Sequence, residues 1–554
     1  LALLRRGKIV AVKGDGGFQL VADARNANAV ATLRRRLQDD ETPYPLMLAN
    51  AISASAFVQL GVGEPGLLGM PERPIILLRK RAQCDAALPG VAPERGWLGV
   101  MLPSTPLHYL FFHEAAGRPE GLAWLSSAQE LALVVTGAAC AGAALPIGND
   151  DACSRLAHIA DAFLLHDREV VTPCDDTVAR PGPGGLQLIR RGRGYAPRPL
   201  KLPHAGPPVL ALGADGSNTV CVTRGDEAYV SQHIGELDAE AAREFFEQTI
   251  AQLLKFLDVK PALVAHDLDP ELHASRLAID YARGRGIPAL AVQHSHAHAA
   301  AVLAEHQIDA PLTALVLDDC CLGDDGSLWG AELLRVDGLR AERIGSLQAI
   351  RCGGDPATRQ PWRLAAEVMR QLGRGGEVER RFAIELADDA GCTGGSGRAL
   401  RRVENASLSC LLDAAAGLLG VKPTRAGAGR ALEALAERHG EVAPLGDGWV
   451  IANGCLNLLP LFSALADEKD SARGAALLHS TLAAALADWA SGVVVANGTL
   501  VGAGNGLLNF VLARGLRARL AERGLHLIEA RRLPPGDGGL SLGQAWIAQC
   551  YLRG

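Results

Sequence analysis

The stretch YAPRPLKLPHAGPP at 195–208 carries five prolines in fourteen residues. Each proline fixes φ and removes a backbone donor, so the stretch predicts a linker or an extended crossing segment over 196–208. It divides a chain of 554 residues, too long for one core, into a domain at 1–195 and another at 209–554.

Both parts alternate strand and helix patterns. In the first, GKIVAVKGDGGFQL reads as strand, glycine-rich turn and strand, and DARNANAVATLRRRL as a helix capped by Asp23 or Asn26. Further strands are expected at 45–49, 75–79, 98–102 and 131–135. In the second, VLALGADGSNTVCVTRGDEAYVSQHI reads as three strands and DAEAAREFFEQTIAQLLKFL as an amphipathic helix. PALVAHD is a strand, ELHASRLAIDYARGRG a helix closed by glycine, and PALAVQ another strand. One half opens on LGADGSN and the next on LDDCCLGDDGS, a weak internal duplication. The middle, 355–445, is mostly helical, and the end returns to α/β.

Bulk properties exclude several classes. With 48% hydrophobic and 21% charged residues the chain is globular rather than disordered. A net charge of −6 implies no extended nucleic-acid surface, although the basic run RRGRGY at 190–195 leaves RNA binding open. No apolar run is long enough for a membrane span, and LALLRRGKIVAVKG lacks the pattern of a signal peptide. The twelve cysteines show no C-x-x-C spacing. They read as buried free thiols of a cytoplasmic protein.

Three motifs could carry chemistry. In QHSHAHAA, His294 and His298 are four apart at a strand-to-helix junction, on one helix face, a spacing that suits two ligands of one divalent ion. His296 points elsewhere, and helix-start histidines are the alternative. Asp318 ends the next strand, where ligands gather in α/β sheets. Asp537 lies in the glycine-rich LPPGDGGLSLGQ. Together the four would make a Zn²⁺ or Fe²⁺ site; each aspartate alone is equally a cap or turn residue. KGDGGF, with Lys13, Gly16 and Gly17, could let a backbone approach a phosphate or carboxylate, or be a plain hairpin turn. Arg191 and Arg193 could bind anions or be a solvated charge run.

The combination resembles the hydrogenase-maturation carbamoyltransferases, the HypF family. KGDGGFQLVADARNANAVATLR, LGVMLPSTPLH, RRGRGYAP, LGADGSNT, SQHIGEL, QHSHAHAAAVLAEH, GDDGSLWGAELL and LPPGDGGLSLGQ come in the family's order. The resemblance implies a YrdC-like α/β domain that makes an acyl-adenylate from ATP (with Mg²⁺) and carbamate. A TsaD-like transferase domain follows, with the duplicated actin/sugar-kinase-like α/β fold and a bound metal. The carbamoyl group would pass to the C-terminal cysteine of HypE, on the way to the cyanide of a [NiFe] centre. By position His294, His298, Asp318 and Asp537 match the metal ligands. Lys13, Arg191 and Arg193 would contact the adenylate, and Gly16, Gly17, Gly213, Asn218, Gly323 and Gly504 would line nucleotide turns. The family's acylphosphatase and zinc-finger regions are not in this sequence, so release of carbamate from carbamoyl phosphate is expected to fall to another protein or a missing segment.

The nucleotide motifs depart from the family. Leu37, Asp39 and Thr42 stand where basic residues meet phosphates, and the T-S-G-N loop is TGAA at 136–139. Asp319 and Cys321 replace glycines, Ser217 a lysine, and the S-G-G turn is Ala503-Gly504-Asn505. The S-S-x-G-R-L-F-D segment is shortened to SLSCLLD at 407–413. A unit charge about 5 Å from a phosphate is worth roughly 1–3 kcal/mol at dielectric constants of 20–80, so these exchanges weaken ATP binding. Three readings follow: an active carbamoyltransferase, a HypF-like paralogue acting as a binding or scaffold partner, or a carbamoyltransferase acting on a small molecule.

Overall fold

The structure is a computed structural model that describes residues 1–39, 41–93, 95–138, 144–182, 185–353, 360–392, 402–422, 427–495 and 498–554. Its contacts form two compact units. One is Leu1–Leu200 with Leu212–Pro261 and Arg531–Pro534; the other is Lys201–Ala211 with Ala262–Ala530 and Pro535–Gly554. No helix among the described residues is long and apolar enough to cross a membrane.

The first unit is built on a nine-stranded mixed sheet. Its order is Ala162–Leu164, Val10–Lys13, Phe18–Asp23, Ala132–Gly137, Leu46–Leu48, Trp97–Met101, Ile75–Arg79, Val178–Gly182 and Gly185–Arg190. Successive side chains of a strand point to opposite faces. Ala11, Leu20, Leu46, Val100 and Val134 therefore enter one core, while Val10, Val12, Val21, Met47, Met101 and Val135 enter another. Both faces are covered, which is why these strands read as unbroken apolar runs. Asn26 caps the helix Ala27–Leu37 by accepting the Ala29 N–H at 3.1 Å, which satisfies a donor left open at a helix start.

In the second unit Val209–Ala211, Leu263–Asp267 and Ala289–Val292 pair in parallel. A further sheet runs Val450–Ala452, Cys455–Asn457, Arg340–Leu347, Leu328–Asp337, Leu312–Leu322, Thr499–Ala503 and His526–Glu529, the last three mutually parallel. Helices Pro361–Gln371, Leu408–Leu418, Ala428–His439 and Ser471–Ser491 pack a large apolar cluster with Leu315, Leu333 and Trp489. The helices of the middle of the sequence thus share one core with strands Leu312–Leu322 and Leu328–Asp337.

Leu200–Gly206, inside the proline-rich stretch, is a strand, in keeping with the extended alternative of the sequence reading. One expectation changes. VLALGADGSNTVCVTRGDEAYV holds two strands, Val209–Ala211 and Cys221–Val230, not three. The residues between them fold into a turn around the buried Asn218 amide, which donates to the carbonyls of Leu212 at 2.8 Å and Ala214 at 2.6 Å.

Candidate metal centre

Four donors converge in the second unit. Strand Ala289–Val292 ends at Gln293, whose side chain accepts the His296 N–H at 2.8 Å and so fixes the start of helix His294–Glu305. That start places His294 and His298 one turn apart on the same face. Asp318 sits where the pairing of Leu312–Leu322 with Leu328–Asp337 slips between Leu317 and Cys321; such an irregularity re-aims a side chain. Asp537 opens a short 3₁₀ turn ahead of helix Leu540–Arg553. That helix lies against the histidine helix because position 543 is glycine: a Cβ there would stand 1.8 Å from the Ala297 carbonyl oxygen.

The two Nε2 atoms of His294 and His298 are 3.1 Å apart. Asp318 Oδ2 lies 3.1 Å from the first and 2.8 Å from the second. Asp537 Oδ1 lies 3.6 and 3.4 Å from them, and all four ligand atoms lie within 4.8 Å of one another. Donors bound at about 2.0–2.2 Å to one tetrahedral ion stand about 3.4 Å apart, so the four donors are close enough together to be ligands of one ion. Two imidazoles and two carboxylates suit Zn²⁺ or Fe²⁺.

The surroundings prepare the donors. Asp267, at the end of Leu263–Asp267, accepts from His294 Nδ1 at 2.6 Å. A proton held on Nδ1 leaves Nε2 as a lone pair aimed at the centre. Asn505 donates its backbone N–H to Asp318 Oδ1 at 2.9 Å and its side-chain amide to Asp537 Oδ1 at 3.2 Å. Each carboxylate is thereby held by one oxygen or shared edge while facing the histidines. Without an ion, burial disfavours charge on both rings, but Asp267 holds the His294 imidazolium well above its ordinary range. Asp318 likewise lifts His298 to about 9. Burial works against the Asp318 carboxylate too, yet His298 and His294 keep it well below the usual range. The centre is a pair of cations facing a pair of anions, a charge pattern that one divalent ion replaces. His296 stands outside: its Nε2 meets the Gly338 carbonyl at 3.0 Å, and burial pushes it down to about 4.

Asp267 was read only as the end of a strand. Its signal lay in its position, a carboxylate at the end of the strand beside the one that leads into the histidines. Asn505 was visible only as a replaced glycine.

The remaining candidate residues fall in different places. Gly504, with φ of +96°, lies on Leu317 (a Cβ would be 2.3 Å from its carbonyl oxygen), and its N–H meets the Pro535 carbonyl at 2.8 Å. It therefore joins the loops that carry Asp318 and Asp537. Gly323 packs under the Trp329 indole. In the first unit Gly16, Gly17 and Arg193 line one cavity. Arg193 is engaged with Asp176 Oδ1 at 2.7 Å and with the carbonyls of Glu72 and Arg73. Lys13 is outside that lining, its Nζ 3.2 Å from the His166 carbonyl. Arg191 binds the carbonyls of Tyr195 and Arg198. Gly213 and Asn218 shape the turn already described. Of TGAA, Ala139 lies outside the described residues.

Comparison with known proteins follows the same division. Residues 2–192 match the Sua5/yciO/yrdC family, described as telomere recombination. Residues 204–305 match the HypF Kae1-like domain, and 314–544 the second subdomain of the carbamoyltransferase Kae1-like domain. The carbamoyltransferase HypF2 of Cupriavidus necator is 49% identical over 589 residues, covering 99% of this chain and 72% of that protein. The carbamoyltransferase HypF of Rhizobium leguminosarum bv. viciae is 39% identical over 567 residues, covering 99% and 71%. A crystal structure of full-length HypF in its phosphate- and nucleotide-bound form superposes with a TM-score of 0.88 at 30% identity, covering all of this chain and 72% of that one. The fold is a YrdC-like domain followed by Kae1-like subdomains, and the chain belongs to the HypF carbamoyltransferase family.

Proposed function

We propose that this chain activates carbamate with ATP and transfers the carbamoyl group to the C-terminal cysteine of a HypE-like partner. In the first step a carbamate oxygen attacks the α-phosphorus of ATP, giving carbamoyl-adenylate and pyrophosphate. In the second the partner's thiolate attacks the carbamoyl carbon, AMP leaves, and a thiocarbamate remains. Adenylation supplies the leaving group that carbamate lacks.

The observation that carries this reading is the His294, His298, Asp318 and Asp537 cage in a chain of this family. These four would hold a Zn²⁺ or Fe²⁺ ion, whose chemistry there is the polarisation of an oxygen by a Lewis acid. Asp267 fixes the tautomer of His294, and Asn505 holds both carboxylates. ATP enters the proposal from the nucleotide-bound relative.

A second reading, a partner-binding paralogue without adenylation, rests on residues 34–42. The Arg34 guanidinium is spent on the carbonyls of Asp39, Thr42, Gly90 and Val91. Asp39 accepts the N–H groups of Glu41 and Thr42. Arg34 and Asp39 are thus engaged with backbone groups beside the positions where the family carries cations. Calorimetry with ATP, followed by carbamate-dependent AMP release, separates the readings. AMP formed only when both substrates are present supports the enzyme; no ATP binding at millimolar concentration overturns it.

A further inference from the structure

Glu332, in the middle of strand Leu328–Asp337, is a fully buried carboxylate. Burial works against its charge and pushes it up to about 7, although backbone N–H groups, Arg343 and Ser295 support the ionised form. A buried carboxylate is costly unless its oxygens are hydrogen-bonded. The partners of the two oxygens lie on two different elements of the metal centre.

Oε1 accepts the backbone N–H of Gly330 at 2.6 Å and of Ala331 at 3.0 Å, with the Arg343 guanidinium at 3.4 Å. Those two N–H groups flank the slip in strand pairing. Leu317 pairs with Ala331 and Cys321 with Trp329, so Asp318, Asp319 and Cys320 stand against Gly330 alone. This bulge lies directly on the glycine: a Cβ at 330 would be 2.5 Å from the Asp319 carbonyl oxygen. Glu332 therefore braces the backbone beneath the bulge that aims Asp318.

Oε2 meets the histidine helix, where it accepts the Ser295 hydroxyl at 3.2 Å. An ionised carboxylate only accepts, so the one hydroxyl hydrogen points at Glu332. The Ser295 oxygen is left to accept the Cys321 thiol, 3.6 Å away. Ser295 is fully buried in the first turn of the helix, next to His294, and Cys321 is the residue at which strand pairing resumes after the bulge. We propose that Glu332 is a positioning residue of the metal centre, joining through one carboxylate the strand bulge that presents Asp318 and the helix turn that presents His294 and His298. The role presupposes that the four donors hold a divalent ion. Glu332 acts through Ser295 and the backbone of Gly330 and Ala331, not as a ligand.

Zn²⁺ affinity is measured by chelator competition, and the visible spectrum of the Co²⁺-loaded chain reports the geometry of the donors. Glu332→Ala is expected to weaken Zn²⁺ binding about tenfold and Ser295→Ala about fivefold, each with an altered Co²⁺ spectrum. Glu332→Gln keeps an oxygen for the two N–H groups and an NH₂ that the Ser295 oxygen can accept, so its affinity stays within about twofold of wild type. Leu333→Val changes the apolar cluster from the same strand. It lowers stability in urea but leaves affinity and spectrum as in wild type, which separates positioning from general weakening of the strand. If Glu332→Ala does not fold, Ser295→Ala decides, since it strips no buried backbone N–H of its acceptor. Wild-type affinity and spectrum in Ser295→Ala and Glu332→Ala, a loss in Glu332→Gln equal to that in Glu332→Ala, or the same loss in Leu333→Val overturns the role while leaving the metal centre standing. A wild-type chain that binds no ion removes the metal centre and the role together.

Discussion

His294 Nδ1 donates to Asp267 Oδ2 across 2.6 Å, and both groups are buried. This contact decides which nitrogen of His294 faces Asp318, His298 and Asp537. Asp267→Asn keeps the size but presents an amide that no longer enforces the Nδ1–H tautomer. Loss of such a partner costs about 10–100-fold in metal affinity. Equilibrium dialysis of wild type and variant against Zn²⁺ measures it, and an unchanged affinity would show that the contact has no part in the site.

Asn505 holds Asp318 through its backbone and Asp537 through its side chain. Asn505→Ala keeps the backbone contact and removes the side-chain contacts with Asp537 and, at 3.5 Å, Asp319, freeing Asp537 to rotate. A loss of about tenfold in metal affinity is expected, smaller than for a ligand, with the thermal midpoint of the metal-free chain little changed.

Protons and metal compete for the same atoms, so the pH dependence has opposite signs in the two states. In the metal-free chain burial disfavours charge on His298, Asp318 outweighs it, and the group titrates at about 9 instead of 6.5. A value raised by folding stabilises fully below about 6.5 and the contribution is lost as pH rises through about 9. A bound ion requires bare Nε2, so Zn²⁺ affinity rises from pH 6.5 to 8.5, by about tenfold per pH unit for each proton displaced. A chelator competition series checks this; an affinity flat across that range contradicts it.

Gly543 brings helix Leu540–Arg553 onto the histidine helix at a point where a Cβ would meet the Ala297 carbonyl at 1.8 Å. Gly543→Ala forces the helices apart and costs about 1–3 kcal/mol, the range for overpacked cores. Urea unfolding of the chain reads the stability, and metal affinity should fall with it because Asp537 lies in the turn that leads into the displaced helix.

Much of this was legible in residue order. The i,i+4 spacing of His294 and His298 survives because a helix has one periodicity, and Gln293 starts that helix where the spacing needs it. Strands buried on both faces were legible as apolar runs. Asp267 was not, because a carboxylate at a strand end looks the same whether it faces solvent or a histidine. The glycines were ambiguous for a related reason. Gly323 is required by the indole of Trp329 and Gly504 by the Leu317 carbonyl, contacts between positions that sequence spacing does not relate. Lys13 and Arg191 illustrate the limit for cations: both contact carbonyls of their own chain, partners that residue order does not announce.

The central claim, that four side chains from three separate stretches form one divalent-metal site, is tested most directly by stoichiometry. The chain loaded with Zn²⁺ or Fe²⁺, stripped of loosely held ion and measured by plasma mass spectrometry should carry about one ion per chain, following the one cage found among the described residues. His298→Ala and Asp318→Ala should each carry less than about a tenth of that while keeping a cooperative unfolding transition. The same stoichiometry in wild type and both variants would contradict the account.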